Sequence, residues 1–145
     1  MKEDKLKVEK IKNGTVIDHI SAGKGLDVYK ILKGIEKQSI IIAINVPSTR
    51  MKRKDILKIE NKQLGTDEFN HVALISPSAT VVSIKNYKVI RKHKIDLPDK
   101  IKGILKCKNP VCISNYETYI VPEFSVISKD PIVLKCAYCE HEFKM

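Results

Sequence analysis

Four cysteines in two close pairs constrain this chain more than any other feature. They are spaced Cys107-x4-Cys112, then 23 residues, then Cys136-x2-Cys139. Around them the pattern is all short β: "ILKC", "TYIVPEFSVIS", "PIVLKC" and "HEFK". About 40 residues of this kind bury too little surface to hold a fold without a staple. Two pairs on turns, separated by a hairpin, bring four sulfurs to the corners of a tetrahedron. Thiolates are soft ligands, and zinc accepts an all-sulfur shell with no open position, so the expected site is structural. Rubredoxin-type iron takes similar ligands, and unpaired thiols are the bland alternative. A thioredoxin-like role for Cys136 and Cys139 fits worse, because that motif opens a helix and no long helix can follow here. With four sulfurs completing the shell, His141 reads as a surface histidine.

Charge divides the chain at the same place as cysteine. The net charge is +10. Residues 1–96 hold 20 Lys/Arg against 11 Asp/Glu, and residues 97–145 hold 7 against 6. The break falls at "IDLPDKIKG", which predicts a basic domain over 1–96, a linker over 97–103 and a four-cysteine domain over 104–145. Apolar residues make up 43% of the chain, enough for a core. No stretch reaches the roughly 18 apolar residues of a membrane span. "MKEDKLKVEK" lacks the apolar region of a signal peptide. The expectation is a soluble cytoplasmic protein with no membrane contact, where thiols favour metal over disulfides.

The first part alternates strands and helices. Leu6 and Val8 begin a strand, Asn13-Gly14 is a turn signal, and "TVIDHI" returns as a strand. "GLDVYKILKGI" spaces Leu26, Tyr29, Leu32 and Ile35 three apart, as one helix face. "SIIIAINV" is almost continuously apolar and predicts a central strand covered on both faces. "DILKIE" alternates as another strand. Thr66 is the expected N-cap of a helix carrying Phe69, Val72 and Ala73, with acids in its first turn. "ATVVSI" and "YKVIRKHKI" form a hairpin joined at Lys85-Asn86. The result is an α+β fold, two helices on one face of a mainly antiparallel sheet.

The basic part offers Arg50, Lys52, Arg53, Lys54 and Lys58, and then Tyr87, Lys88, Arg91, Lys92, His93 and Lys94. An aromatic face beside ammonium groups suits a base and its phosphates; ordinary edge-strand charge is the bland reading. Asp18 and His19 are consecutive, so a regular strand points them to opposite faces. There is no Walker loop and no dinucleotide fingerprint. The four histidines are scattered, His71 reads as a helix packing residue, and no catalytic constellation emerges. A zinc-ribbon nucleic-acid binder is the alternative function, but its positive charge belongs on the ribbon, which here is nearly neutral.

"KLKVEKIKNGTVIDHI", "RKDILKIEN", "ATVVSIKNYKV" and the "LKCAYCEHEF" ending together resemble the regulatory chain of aspartate carbamoyltransferase, in order and from about Leu6 to Phe143. The resemblance implies a ferredoxin-like allosteric domain followed by a small all-β, zinc-ribbon or rubredoxin-like domain holding one structural Zn2+ through Cys107, Cys112, Cys136 and Cys139. It implies a non-catalytic subunit that binds CTP and ATP, pairs with a second regulatory chain and controls catalytic trimers in pyrimidine biosynthesis, without nucleic acid. Matched by position, Val8, Glu9, Lys10, Ile11 and Val16 line the base side. Asp18 holds the ribose, and His19 and Lys92 meet the phosphates. Lys54 lies nearby, Lys58 contacts base and ribose, and Ile84, Tyr87 and Val89 close over the base. Val82 stands where that pattern has Asn, and Val111 replaces the Asn before the second cysteine.

Overall fold

Residues 10–145 are described by the structure, a computed structural model. The chain divides into two compact units, residues 1–96 and 97–145. The predicted strand at Leu6 and Val8 lies outside the described residues. Local sterics set the start of the first sheet. Gly14 has φ +141°, and a Cβ there would stand 2.0 Å from the Ile59 carbonyl oxygen, so only glycine fits this turn.

The first unit runs β1 (Gly14–Ser21), α1 (Gly25–Ile31), β2 (Ile40–Ser48), β3 (Lys52–Glu60), α2 (Thr66–Ile75), β4 (Thr80–Lys85) and β5 (Lys88–Lys94). All pairings are antiparallel, in the order β2-β3-β1-β4-β5. The α+β expectation holds at this level. Period-two alternation places Ile17, Leu57, Ile59 and Val81 on one face, each at most 1% exposed. Val28 of α1 and Val72 and Ala73 of α2 are equally buried. The opposite face carries Val16, Ile56, Lys58, Val82 and Ile84, with Ile11 packed on Val82 and Ile84.

Several local expectations change. β2 is an edge strand, not a central one: its apolar run is only half-buried, and Ile44 is 49% exposed. An apolar run encodes burial but not the identity of the chain that supplies the cover. Gly65, not Thr66, is the N-cap of α2, and its N–H donates to Oε1 of Glu68 at 2.8 Å. Helix α1 stops at Ile31. Val28, Leu32 and Ile35 are buried while Leu26 is exposed, so the apolar stripe starts later than its spacing suggests. The β4–β5 turn is Asn86-Tyr87, with φ 53° and 65°, the left-handed pair of a two-residue hairpin loop.

One carboxylate ties three elements of this unit together. Asp55 is fully buried and accepts the backbone N–H groups of Gly23 (3.0 Å), Gly25 (2.7 Å) and Asn45 (2.8 Å). It thereby fixes the approach to α1 and the bulge of β2 onto β3.

The second unit is a four-stranded antiparallel sheet, β6 (Lys100–Lys102), β7 (Glu123–Lys129), β8 (Ile132–Cys136) and β9 (Glu142–Lys144), paired in that order. "ILKC" is not a strand; the pairing comes earlier, where Ile101 is 2% exposed and opposes Phe124. Phe124 and Leu134 are fully buried, and the Phe143 ring meets Phe124 edge-on at 5.5 Å. Among the described residues no helix is long and apolar enough to cross a membrane.

Candidate metal centre and candidate anion cavity

The core of the second unit is completed by sulfur. Cys107 and Cys112 flank a turn in which Asn115 Nδ2 donates to the carbonyls of Cys107 and Asn109. Cys136 ends β8, and Cys139 follows in the turn before β9. The four sulfurs lie within 4.8 Å of one another, with Cys107–Cys139 and Cys112–Cys136 both at 3.7 Å. Disulfides would need about 2.05 Å. Four sulfurs at about 2.3 Å from one tetrahedral ion would stand about 3.8 Å apart. The geometry therefore fits a closed thiolate shell.

The protonation demands point the same way. Burial pushes the Cys107 thiol up to about 12. The backbone N–H of His141, with help from Asn109, brings Cys139 down to about 6. The Ser114 hydroxyl, 3.1 Å from Cys112 Sγ, lowers that thiol too. Thiols with such opposed preferences at this spacing share one solution, a divalent cation that favours the anion at every corner. His141 is exposed and offers no ring contact to the cluster.

The first unit carries a cavity of about 340 Å3 on the face away from the helices. Its lining includes Val16, Asp18, His19, Lys58, Ile84, Val89 and Lys92. Register explains the convergence: Val16 opposes Lys58 on one side and Val82 on the other, and Val82 opposes Lys92. β1 is not regular. Its pairing with β3 slips between Ile17 and Ile20, and His19 adopts φ 57°. The extra residue keeps Ile17 and Ile20 buried while turning both Asp18 and His19 into the same cavity, contrary to the alternation expected of them.

Lys54 does not line the cavity but grips Asp18 through a 2.8 Å ion pair. Burial raises the Asp18 carboxyl, but the Lys54 contact and the His19 backbone N–H outweigh it and hold it below the ordinary value. That contribution to stability is present above the unfolded carboxyl's range and is lost as pH falls through the lowered folded value. Burial, then the Lys54, Arg50 and Lys92 cations, hold His19 below its ordinary value despite Asp18. Burial likewise lowers Lys58. Tyr87 sits in the exposed hairpin turn, its N–H donating to the Lys12 carbonyl, apart from the cavity. Ile11 packs beneath the cavity, against Val82 and Ile84, and Lys10 is exposed. Val8 and Glu9 lie outside the described residues. Ile56, Thr80 and Val82 also line the cavity. Val82 is the position at which the family pattern carries Asn, while sequence reasoning passes over Ile56 and Thr80; their signal is the period-two phase that Ile56 shares with Lys58, and Thr80 with Val82 and Ile84.

A basic, cleft-bearing α+β unit joined to a β unit with four clustered cysteines describes a two-module protein with a metal-binding module. Comparison with known proteins gives the particular case. Residues 6–96 match the family described as aspartate carbamoyltransferase regulatory chain, allosteric domain, and residues 99–145 match its metal binding domain. Regulatory chains of that name are similar throughout. That of Pyrococcus horikoshii is 55% identical over 93% of this chain and 90% of its own. That of Thermococcus sibiricus is 54% identical over 97% and 91%, and that of Methanococcus maripaludis 55% over 93% and 90%. This chain belongs to the aspartate carbamoyltransferase regulatory chain family, and it is a non-catalytic subunit with an allosteric and a metal-binding domain.

Proposed function

We propose that the first unit, residues 1–96, is a ferredoxin-like sensor that binds CTP or ATP in the β1–β3–β4–β5 cavity. The convergence of Asp18, His19, Lys58 and Lys92 on one cavity carries this reading. Lys92 and His19 meet the phosphates, where a triphosphate brings about three to four negative charges. Asp18, pinned by Lys54, repels phosphate and accepts ribose hydroxyls instead. Val16, Ile84 and Val89 supply the apolar wall for a base. Residues Val8 to Ile11 complete the base side, and Tyr87 closes over it only if the hairpin turn moves. Lys92→Ala should weaken CTP binding about tenfold with the fold unchanged, measured by calorimetry; unchanged affinity would refute the phosphate assignment.

Protonation should accompany binding. Burial and the neighbouring cations disfavour the proton on His19 in the free chain, so its effect on stability is adverse as pH falls from about 6.5 through its lowered value. A bound triphosphate reverses that preference. CTP affinity should therefore rise about fivefold from pH 8 to pH 6, because the proton that burial and nearby cations disfavour on free His19 is favoured beside the bound phosphates. His19→Gln should flatten the profile.

The second unit, with residues 97–103 as its approach, is a zinc-ribbon or rubredoxin-like adaptor holding one Zn2+ and docking on the catalytic chain. Val111, Ile113, Tyr116, Tyr119 and Val121 are each more than half exposed on it, an apolar surface that fits a protein partner. Its near-neutral charge disfavours the nucleic-acid alternative; salt-sensitive DNA or RNA binding tighter than CTP binding would reverse that preference. The half-buried apolar edge β2 supports pairing with a second regulatory chain in an isologous contact. Regulation requires CTP to bind this chain better when the catalytic trimers are in their low-activity state, a coupling on the order of 1–3 kcal/mol. Such an assembly works in the cytoplasm, away from membranes. Aspartate saturation of the trimers, with this chain present and with or without CTP, tests the whole scheme.

A further inference from the structure

The β4–β5 hairpin has two faces, and only one serves the cavity just described. Val82, Ile84, Val89 and Lys92 look toward it. Alternation along β4 turns Ser83 and Lys85 the other way, and the register slip of β5 at Ile90 sets Arg91 and His93 beside them; together they line a second cavity of about 570 Å3 in the first unit, which shares only Ile84 with the first. Leu64, 9% exposed, forms part of its wall, with Gln63 beside it. His93 is held in place from two sides: Ser83 Oγ lies 3.3 Å from its Nε2, and its ring sits 4.7 Å from the Phe69 ring. Lys85 and Arg91 bring two positive charges, and no carboxylate among the described residues lines the cavity. Neither cation has an ion pair among the described residues. A volume in the range of small-molecule pockets, an apolar and imidazole wall, and two cations at the rim select one ligand chemistry.

We propose that this second cavity binds a small organic anion with a flat apolar body, a phosphate or carboxylate carried on an aromatic ring. The ring lies against Leu64, Ile90 and the His93 imidazole, and the anionic group meets Arg91 and Lys85. Arg91, with its planar fork of donors, is the main anchor. The site is distinct from the nucleotide cavity, and its existence does not depend on what that cavity binds.

Phenyl phosphate is a suitable probe, titrated into the metal-loaded full chain and followed by NMR of side chains that report one face each. Saturable shifts of the His93 ring and the Gln63 side-chain amide are expected. They should persist in Lys92→Ala and weaken about tenfold in Arg91→Ala, with a smaller loss in Lys85→Ala. Preserved backbone spectra of both rim variants would separate lost contact from lost fold. Three results would overturn the proposal. The shifts could fall on Val82 and Val89 methyls and vanish in Lys92→Ala, or fail to saturate by about 10 mM. Inorganic phosphate binding as tightly as phenyl phosphate would remove the need for an aromatic body.

Discussion

Cys136→Ser abolishes stable metal binding and unfolds residues 97–145, leaving the first unit folded. Cys136 is fully buried at the end of β8, 3.7 Å from Cys112 Sγ, and its sulfur also accepts the Tyr138 N–H. Serine is a poor ligand for zinc and leaves three thiols crowded around a lost centre. Structural zinc contributes about 10–16 kcal/mol in small metal-folded domains. A sheet of four short strands around Phe124, Leu134 and Ile101 has on the order of a few kcal/mol of its own. Losing one ligand in four therefore removes more than the module can spare. Metal analysis should find zinc lost, and amide exchange should be fast throughout residues 97–145 but protected in β1, β3 and β4. Co-elution with catalytic trimers should disappear. A metal-free variant that still co-elutes would show that the clamp is not what shapes the docking surface.

Asp55→Ala lowers the stability of the first unit by about 4 kcal/mol. Three backbone donors lose a charged acceptor, each such bond being worth about 1.5–3 kcal/mol, with partial recovery by water. The urea midpoint should drop on the order of 2 M at unchanged slope. Asp55→Asn retains one acceptor oxygen and should lose roughly half as much. Gly25→Ala attacks the same junction from the other side, because its Cβ would stand 2.9 Å from Asp55 Oδ2. A shift of less than about 1 kcal/mol in Asp55→Ala would mean that the loop before α1 is held by its packing, not by the carboxylate.

Asp55 also shows how much of this molecule is legible in its sequence. In "DILKIE" it shares the phase of Leu57 and Ile59, the two core residues of β3. An acid in the inward series is the available signal, since such a group is buried only with donors to meet it. The cysteine spacing reveals the metal centre because thiolate geometry is local and its ligand count is small. The order of strands and helices is likewise legible from periodicity. The position of β2 is not, since its apolar residues are the same whether a neighbouring strand or another chain covers them. The start of α2 escapes because glycine caps through backbone geometry that leaves no polar side chain to notice. Of the anion cavity, the cations are visible as a cluster. Which of them face it depends on register, and neither Arg91 nor Lys92 announces its side.

The slipped pairing of β1 makes chain length a binding determinant in its own right. Asp18 and His19 reach one cavity because the strand holds one residue more than its partner between Ile17 and Ile20. Removing a residue here would restore strict alternation and send one of the two away, whatever side chains remained. Adding one would push Ile20 out of the interior. Beyond the demands on its individual side chains, the segment tolerates neither insertion nor deletion, and homologous chains should keep its spacing even where single letters differ.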